Sequence, residues 1–246
     1  MKLYDNVIAH TREVLAESSC KSYELSETGS WKDVGNSEFI MLRDAALEIG
    51  GSGLPSVNYT CVTTSGEVTG DEVLVYGKDI ASLSGATAFA RIVILETEDL
   101  EEDKDQEKAF QTIRNLEFVR YHVFPAGYMV RVSAKSNQEQ VRISRKALKA
   151  GISFAKVGGL YIRKYKALPE VRHVRVIFIT EKELVEKLME NADKVDSITR
   201  TLTHILDGMP TDCGHCSMKK LCDEVEGMKE LHLGKRKTEG KNEAGI

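Results

Sequence analysis

Three cysteines near the C-terminus carry the clearest chemical signal in the sequence. Cys213, Cys216 and Cys222 follow the pattern Cys-x2-Cys-x5-Cys in a chain of 246 residues that has five cysteines in all. Thiolates are soft ligands for iron–sulfur clusters and for zinc. A Cys-x2-Cys pair places two sulfurs on one turn, where both can hold the same metal unit. We therefore predict that the three residues converge on one metal site.

Three thiolates leave a four-ligand site one ligand short. The fourth ligand could be Cys20, Cys61, His215 or His232, or an exchangeable group such as water or substrate. An iron–sulfur cluster of the 4Fe–4S type is the first interpretation of the pattern, a zinc site is the second, and free thiols that bind nothing are the third.

A second candidate site lies in the basic stretch from residue 131 to residue 175. This stretch holds twelve lysines and arginines against two glutamates, a local charge of +10 in a chain whose net charge is −4. Such a block can hold an anion or an acidic partner, and it can equally be a solvated surface. Six of its residues are predicted to line one anion-binding or partner-binding face: Arg131, Lys135, Arg142, Arg145, Arg163 and Arg175.

Composition limits the class of protein. The chain is 41% hydrophobic and 29% charged, as in ordinary globular proteins, and its negative net charge argues against a nucleic-acid binder. No apolar run approaches the roughly 18–20 residues that a membrane helix needs, and the first residues lack the apolar core of a secretory signal. We therefore expect a cytoplasmic protein without a membrane or nucleic-acid partner.

Hydrophobic periodicity predicts an α+β fold with a β-rich N-terminal half. A helix is predicted over residues 5–16. Glycine-containing turns separate the strands that follow, which are predicted over residues 39–42, 56–64, 72–76 and 89–95.

The second half alternates helix and strand around a mixed sheet. Helices are predicted over residues 106–117, 137–150, 180–191 and 194–206; capping-box pairs open the second at Ser136 and Glu139 and the third at Thr180 and Glu183. Strands are predicted over residues 159–165 and 171–179, and residues 119–132 are predicted to contain a strand that Pro125 and Gly127 interrupt. Gly158-Gly159 is interpreted as a tight turn.

These predictions divide the chain into three parts. Residues 1–207 form one α+β region, residues 208–232 form a short segment with the cysteine motif, and residues 233–246 form a polar tail that we expect to be disordered.

An ordered series of segments resembles the central domain of the acetyl-CoA synthase (beta) subunit of the CO dehydrogenase/acetyl-CoA synthase complex. The series runs from about Trp31 to Cys222. It consists of residues 53–55, 66–70, 75–80, 117–122, 142–151 and 174–181, followed by Cys213-Gly-His-Cys216 at the place of the family's first two cluster cysteines.

The chain also departs from this family. The family has a large N-terminal region that docks on CO dehydrogenase, and a Cys-Gly-Cys that chelates a second nickel. The sequence has no Cys-Gly-Cys and no cysteine after Cys222. The family's central-domain tryptophan, which is linked to coenzyme A binding, has no counterpart near Arg131 or Gln140, and the single tryptophan is Trp31.

The resemblance implies three hypotheses about function. The first is an iron–sulfur-binding accessory or partner-docking module without a complete nickel site, whose partner is a corrinoid or redox protein or coenzyme A. The second is a component of an acetyl-CoA synthase, an acyltransferase completed by another chain, in which Cys216 stands where the family places its bridging thiolate. The third is a zinc-stabilised structural protein. Nickel is not expected in the isolated chain.

Overall fold

The computed structural model describes residues 3–51, 53–98, 106–133 and 138–207, and within these ranges it confirms a mixed α+β fold. The helices are α1 (Asp5–Leu15), α2 (Gln106–Phe118), α3 (Arg145–Lys149), α4 (Phe154–Lys166), α5 (Lys182–Lys187) and α6 (Met189–Leu206). The strands are β1 (Cys20–Glu24), β2 (Ala45–Ile49), β3 (Ser56–Thr63), β4 (Glu72–Tyr76), β5 (Phe89–Thr97), β6 (Tyr128–Ser133), β7 (Gln138–Ser144) and β8 (Val171–Ile179).

Five of the strands form a mixed sheet in the order β1-β4-β8-β5-β3. The pairs β4–β8 and β3–β5 are parallel, whereas β1–β4 and β5–β8 are antiparallel. Every residue of β3 and β5 is buried. Strand β5 reads as a nearly continuous apolar run, as expected of a strand buried on both faces, whereas β3 alternates Ser56, Asn58 and Thr60 with apolar or aromatic residues.

The other three strands form a small antiparallel sheet in the order β2-β7-β6. In β7 the buried residues Glu139, Val141 and Ile143 alternate with more accessible ones. This period of two directs one face of the small sheet toward the core. Strand β7 lies against β3 and β5, so the small sheet covers part of one face of the five-stranded sheet.

Helix α4 covers the rest of that face. Phe154 of α4 stacks on Phe89 of β5 and Phe178 of β8, with ring centroids 5.8 and 4.7 Å apart. Gly158 allows the close approach, because a Cβ atom there would lie 2.6 Å from Val73 Cγ2. Serine at the N-cap, Ser153, accepts a hydrogen bond from the backbone N–H of Lys156 and starts the helix.

The opposite face of the five-stranded sheet is covered by α1, α2, α5 and α6. A buried polar network joins three elements there. The Tyr59 hydroxyl lies 2.7 Å from Thr11 Oγ1, and Asn191 Nδ2 donates to Thr11 Oγ1 at 3.1 Å and to the Val7 carbonyl at 3.3 Å. These bonds satisfy polar side chains that α1, β3 and α6 bury together.

Most predicted elements are confirmed by the structure. The predicted bounds match β4 and β8, and they come within two residues of those of α1, α2, β3 and β5. None of the helices in the described ranges has both the length and the apolar character that a membrane crossing requires.

The prediction of a helix over residues 137–150 is wrong. The segment forms strand β7 and then the short helix α3, whose N-cap Ser144 accepts a hydrogen bond from Ala147 N–H at 3.1 Å. Glu139 points into the core from the strand. Packing of the alternating residues Glu139, Val141 and Ile143 therefore outweighed the helix propensity of the segment.

The prediction of a strand over residues 159–165 is wrong too, because these residues belong to α4. Gly158 and Gly159 are helical, and both lie where another part of the chain leaves no room for a side chain. A Cβ at Gly159 would be 2.4 Å from Thr28 Oγ1. The glycine pair marks a close contact between elements instead of a turn.

Three smaller predictions also need correction. Residues 39–42 form no strand, and Leu42–Asp44 is a 3-10 turn. The segment predicted as a strand from residue 119 begins as a 3-10 turn, and β6 starts only at Tyr128. Thr180 does not cap a helix: its hydroxyl accepts a hydrogen bond from Lys78 N–H at 2.8 Å, and α5 begins after Glu181.

Candidate functional site

A fully buried ion pair joins the two sheets. Arg91 of β5 and Glu139 of β7 are both inaccessible to solvent, and Arg91 Nη2 lies 2.5 Å from Glu139 Oε2. Arg91 Nε also donates to both carboxylate oxygens, at 3.1 and 3.2 Å. The Glu139 charge, with hydrogen bonds to it, holds the pKa of Arg91 high against the opposing effect of burial. Two buried charges need this kind of two-point pairing to offset their desolvation.

Further polar groups surround the pair. The Arg91 guanidinium stacks on the Tyr161 ring, 4.3 Å from its centroid, and Ser56 Oγ accepts a hydrogen bond from Glu139 N–H at 2.8 Å. Asn58 lies beside Arg91 on the neighbouring strand. We call Asn58, Arg91, Glu139, Tyr128 and Tyr161 the polar seam.

Several atoms of the polar seam lack hydrogen-bond partners among the described residues. They are Asn58 Oδ1 and Nδ2, Arg91 Nη1, and the hydroxyls of Tyr128 and Tyr161. Burial raises the pKa of both tyrosines, so the two hydroxyls remain protonated. Buried polar groups are normally hydrogen-bonded. A cluster of buried polar groups without partners is typical of a site that binds a ligand or holds a strained conformation.

A second buried ion pair lies next to the seam. Arg120 Nη2 is 3.6 Å from Glu117 Oε1, and Arg120 Nη1 donates to the Asn58 carbonyl at 3.3 Å. The Thr199 hydroxyl of α6 donates to Glu117 at 2.7 Å. Burial raises the pKa of the Glu117 carboxyl above its ordinary value, although Arg120 and Thr199 act in the opposite direction.

A cleft of about 270 Å³ opens at the edge of this region. Its inner end is formed by the buried residues Arg120 and Tyr128, and its mouth by Ser37 and Glu38. Its remaining lining is apolar or aromatic and consists of Tyr121, Val123, Phe124, Pro125 and Val130. Glu38 is fixed across the mouth by a hydrogen bond from Gly127 N–H. The cleft combines aromatic walls with one buried cation, which suits a partly apolar ligand with a polar end.

Sequence reasoning did not find the polar seam. Arg91 stands alone in the apolar run of β5, which is the one sequence signal that could have marked it as a buried, paired charge. The sequence pattern places Glu139 in a capping box, whereas its partner in the structure, Arg91, lies 48 positions away in the sequence. Pairing at that separation follows from how the two sheets pack.

The predicted basic residues lie on different elements. Arg142 of β7 pairs with Glu48 at 2.5 Å, and Arg175 of β8 pairs with Glu72 at 2.7 Å, in separate sheets. Because Arg142 is in a strand, it does not share a helical stripe with Arg145. Arg131 on β6, Arg145 on α3 and Arg163 on α4 are exposed. Lys135 lies outside the described residues, and a common anion-binding face for the six residues stays a prediction.

The predicted metal ligands Cys213, Cys216 and Cys222 lie outside the described residues. Two of the candidate fourth ligands are described. Cys20 is exposed on the edge strand β1, whereas Cys61 is buried in β3, where burial raises the pKa of its thiol. Within the described ranges, no group of three or more histidine, cysteine, aspartate or glutamate residues could hold a metal ion.

The chain matches the family model of the CO dehydrogenase/acetyl-CoA synthase complex beta subunit over residues 34–185, which is more than half of its length. No curated protein matches the chain. The matched region runs from the segment before β2 into α5, and it contains the small sheet, the five-stranded sheet apart from β1, the polar seam and the cleft. This confirms the resemblance carried by the ordered series of segments. The chain belongs to the family of the CO dehydrogenase/acetyl-CoA synthase complex beta subunit.

Proposed function

We propose that the chain is an iron–sulfur-binding accessory or partner-docking module of a CO dehydrogenase/acetyl-CoA synthase type complex. The observation that carries the proposal is the family match over residues 34–185. The cysteine motif Cys213, Cys216 and Cys222 follows this region in the sequence and supplies three thiolates. The 246 residues contain no Cys-Gly-Cys, so the chain does not by itself offer the family's second nickel site.

The described residues support a binding module instead of a catalytic one. Buried Arg91 and Arg120 are each paired with a glutamate, and the buried Glu117, whose pKa is raised, is held by Arg120 and Thr199. Among the residues that line the cleft, we find no nucleophile paired with a general base. The cleft is instead lined by residues 37–38, by residues between 120 and 125, and by Tyr128 and Val130 of β6.

Metal analysis of the anaerobically purified full chain tests this proposal. We expect iron and acid-labile sulfide to co-purify, with a cluster signal in electron paramagnetic resonance after reduction. Changing Cys213, Cys216 or Cys222 to serine should remove the iron. Cys20→Ser, a change at an exposed thiol of β1, tests the fourth ligand: loss of iron would assign Cys20 that position, and retained iron would leave it to another group.

The outcomes separate the three interpretations of the motif. Zinc in place of iron would support the zinc-stabilised structural protein. Absence of any stoichiometric metal would mean that the thiols are free, and iron retained in all three serine variants would place the cluster elsewhere. Each of these results contradicts the proposal.

A component of an acetyl-CoA synthase completed by another chain is the second candidate. It is favoured by the family match and by the position of Cys216, where the family places its bridging thiolate. The single chain should form no acetyl-CoA from methylated corrinoid protein, CO and coenzyme A. Acetyl-CoA formation that appears only after a second subunit is added would favour this candidate over the accessory module.

The basic residues give this candidate a binding test. Coenzyme A carries phosphates, which arginine forks bind well. Calorimetry should therefore detect coenzyme A binding that weakens as salt rises, because screening shortens the range of the attraction. Arg145→Glu with Arg163→Glu is a suitable variant, since both residues are exposed, whereas Arg142 and Arg175 already hold glutamates. An unchanged binding constant in the double variant would argue against a phosphate site at these residues.

A further inference from the structure

The two ends of the cleft differ in burial and in charge. At the inner end, Arg120 and Tyr128 are only 5% and 3% exposed, whereas Glu38 at the mouth is exposed. Electrostatic attraction is stronger where water is excluded, so the buried guanidinium acts on a bound ligand more strongly than the exposed carboxylate does. The inner end is therefore the end of the cleft that suits an anionic group.

Glu117 balances only a part of the Arg120 charge. The 3.6 Å between Arg120 Nη2 and Glu117 Oε1 is longer than a hydrogen bond, and the Thr199 hydroxyl lies closer to the two carboxylate oxygens, at 2.7 and 2.9 Å. Arg120 donates to two uncharged acceptors, the Tyr121 hydroxyl at 2.7 Å and the Asn58 carbonyl at 3.3 Å. The guanidinium therefore keeps an attraction for a second anion.

Hydrogen-bond donors outnumber acceptors in the polar seam behind the inner end. Tyr128 belongs both to the seam and to the lining of the cleft, and its hydroxyl has no partner among the described residues. The Tyr161 hydroxyl, Arg91 Nη1 and Asn58 Nδ2 are further donors without such a partner, and of these unpartnered atoms Asn58 Oδ1 alone can only accept. A carboxylate only accepts hydrogen bonds, and at several lone pairs, so it suits this set of donors best.

The walls between the two ends are apolar. Val123, Phe124, Pro125 and Val130 line the cleft, whose volume is about 270 Å³. Sites for drug-sized ligands have roughly 300–1,000 Å³, so this cleft suits a smaller molecule. A ring or a short branched chain attached to a carboxylate would place apolar atoms against these walls and its charge at the inner end.

Glu38 limits what the other end of the ligand can carry. The backbone N–H of Gly127 donates a hydrogen bond to Glu38 Oε2 and so fixes the carboxylate at the mouth. A second carboxylate on the ligand would meet this like charge, and repulsion of that kind lowers the affinity for the wrong ligand. The cleft therefore favours a ligand with one carboxylate over a dicarboxylate.

We propose that the cleft binds a small apolar monocarboxylic acid. Its carboxylate lies at the inner end, beside Arg120 and Tyr128, and its apolar body lies between the walls. The inference goes beyond the proposed function, since it requires neither a metal nor a partner chain.

Calorimetry with the full chain and two probes of the same shape tests the class of ligand. Hydrocinnamate carries a carboxylate on a phenylethyl body, and hydrocinnamamide carries an uncharged amide on the same body. We expect hydrocinnamate to bind about tenfold tighter or more, because hydrogen bonds to a charged group are stronger than those to a neutral one. Phenylsuccinate, with its second carboxylate, should bind more weakly than hydrocinnamate, and Glu38→Gln should narrow that difference.

Three variants locate the bound carboxylate. Tyr128→Phe removes a hydroxyl that has no partner among the described residues, so the fold should persist while the affinity for hydrocinnamate falls about tenfold. Tyr4→Phe is the matched control, because Tyr4 is comparably buried and its hydroxyl also lacks a partner among the described residues, but Tyr4 does not line the cleft. Its affinity should be unchanged. Val130→Trp should abolish binding by filling the space between the walls.

Three results would overturn the proposal. Hydrocinnamamide or phenylsuccinate that binds as tightly as hydrocinnamate would contradict the class of ligand. Absence of hydrocinnamate binding at millimolar concentration would leave the buried donors to ordered water instead of a ligand. An unchanged affinity in Tyr128→Phe or in Val130→Trp would place the bound carboxylate outside the cleft.

Discussion

One face of the five-stranded sheet carries two interfaces of opposite character. Helix α4 meets the sheet through stacked rings, Phe89, Phe154 and Phe178, and through the close approach at Gly158. The small sheet meets the same face through the polar seam, in which Arg91 and Glu139 are paired and Asn58, Tyr128 and Tyr161 keep unpaired polar atoms. The first interface is what hydrophobic burial alone would produce. The second requires charges to be desolvated and matched.

The two interfaces differ in what they contribute to stability and to ligand recognition. Ring stacking against α4 gives tight packing. The polar groups of this helix that reach the sheet are the hydroxyl of Tyr161, which belongs to the seam, and that of Tyr165, which lies 3.4 Å from Thr60 Oγ1. A buried ion pair is weak evidence for stability, because an apolar pair of similar size is often as good or better. The cleft opens beside the polar seam and shares Tyr128 with it. The binding function that we propose for the cleft would account for the polar character of this interface.

The largest expected effect comes from breaking the buried ion pair. Glu139→Leu leaves the Arg91 charge buried and unpaired, and should lower the free energy of unfolding by about 3–5 kcal/mol. Urea unfolding followed by circular dichroism measures the change.

The double variant Arg91→Met with Glu139→Leu is the control for this prediction. It removes both charges, so its free energy of unfolding should return to within roughly 1 kcal/mol of the wild type, or exceed it. A double variant as unstable as Glu139→Leu would mean that the pair itself stabilises the junction of the two sheets, and the contrast between the interfaces would be lost.

A smaller loss is expected at the apolar interface. Gly158→Ala places a Cβ 2.6 and 2.7 Å from the two methyl groups of Val73 and 3.2 Å from the Phe178 ring. Overpacking of this kind costs about 1–3 kcal/mol, which the better helix propensity of alanine offsets by about 1 kcal/mol. Thermal and urea unfolding should both show the net loss.

Gly70→Ala is the matched control, because a Cβ at Gly70 meets nothing within 4 Å. Its stability should equal or slightly exceed that of the wild type. If Gly158→Ala were as stable as Gly70→Ala, α4 would not be packed as closely on the sheet as the structure has it.

Two buried tyrosines offer a matched comparison of paired and unpaired hydroxyls. Tyr59→Phe removes a hydroxyl bonded to Thr11 and should cost about 1 kcal/mol. Tyr161→Phe removes a hydroxyl that has no partner among the described residues, and should leave the free energy of unfolding unchanged or raise it by up to about 1 kcal/mol. Equal losses in the two variants would show that the polar seam satisfies its hydroxyls as well as the Tyr59 network does.

The smallest effect is a pH dependence at Glu117. The pKa of this carboxyl is raised in the folded chain, so the folded state binds its proton more tightly than the unfolded state. The stabilisation from that proton is present below the ordinary carboxyl pKa and is lost as pH rises through the raised value. Glu117→Gln should therefore flatten the fall in stability over this window, which urea titrations at a series of pH values would detect. An unchanged slope would mean that Arg120 and Thr199 fully offset the burial.

The apolar part of the fold follows from the sequence. A nearly continuous apolar run predicts β5, and alternation predicts β3 and β8, because the apolar side chains of these strands pack into the core. The family could be identified from an ordered series of segments, since their order is written in the chain. The chemistry of the cysteine motif is also a property of the sequence, because ligand type and spacing limit which metals can bind.

Only the tertiary structure decided the state of residues 138–144 and 154–166. Glu139 and Arg142 fit a helix pattern and a strand pattern equally well. The segment forms a strand because Glu139 then pairs with Arg91 while Val141 and Ile143 pack in the core. Gly158 fits a turn in the sequence, but in the structure it is helical and glycine is needed because Val73 packs against its Cα. The polar seam has no local signature, because its members come from five different elements and become neighbours only when the sheets and α4 pack together.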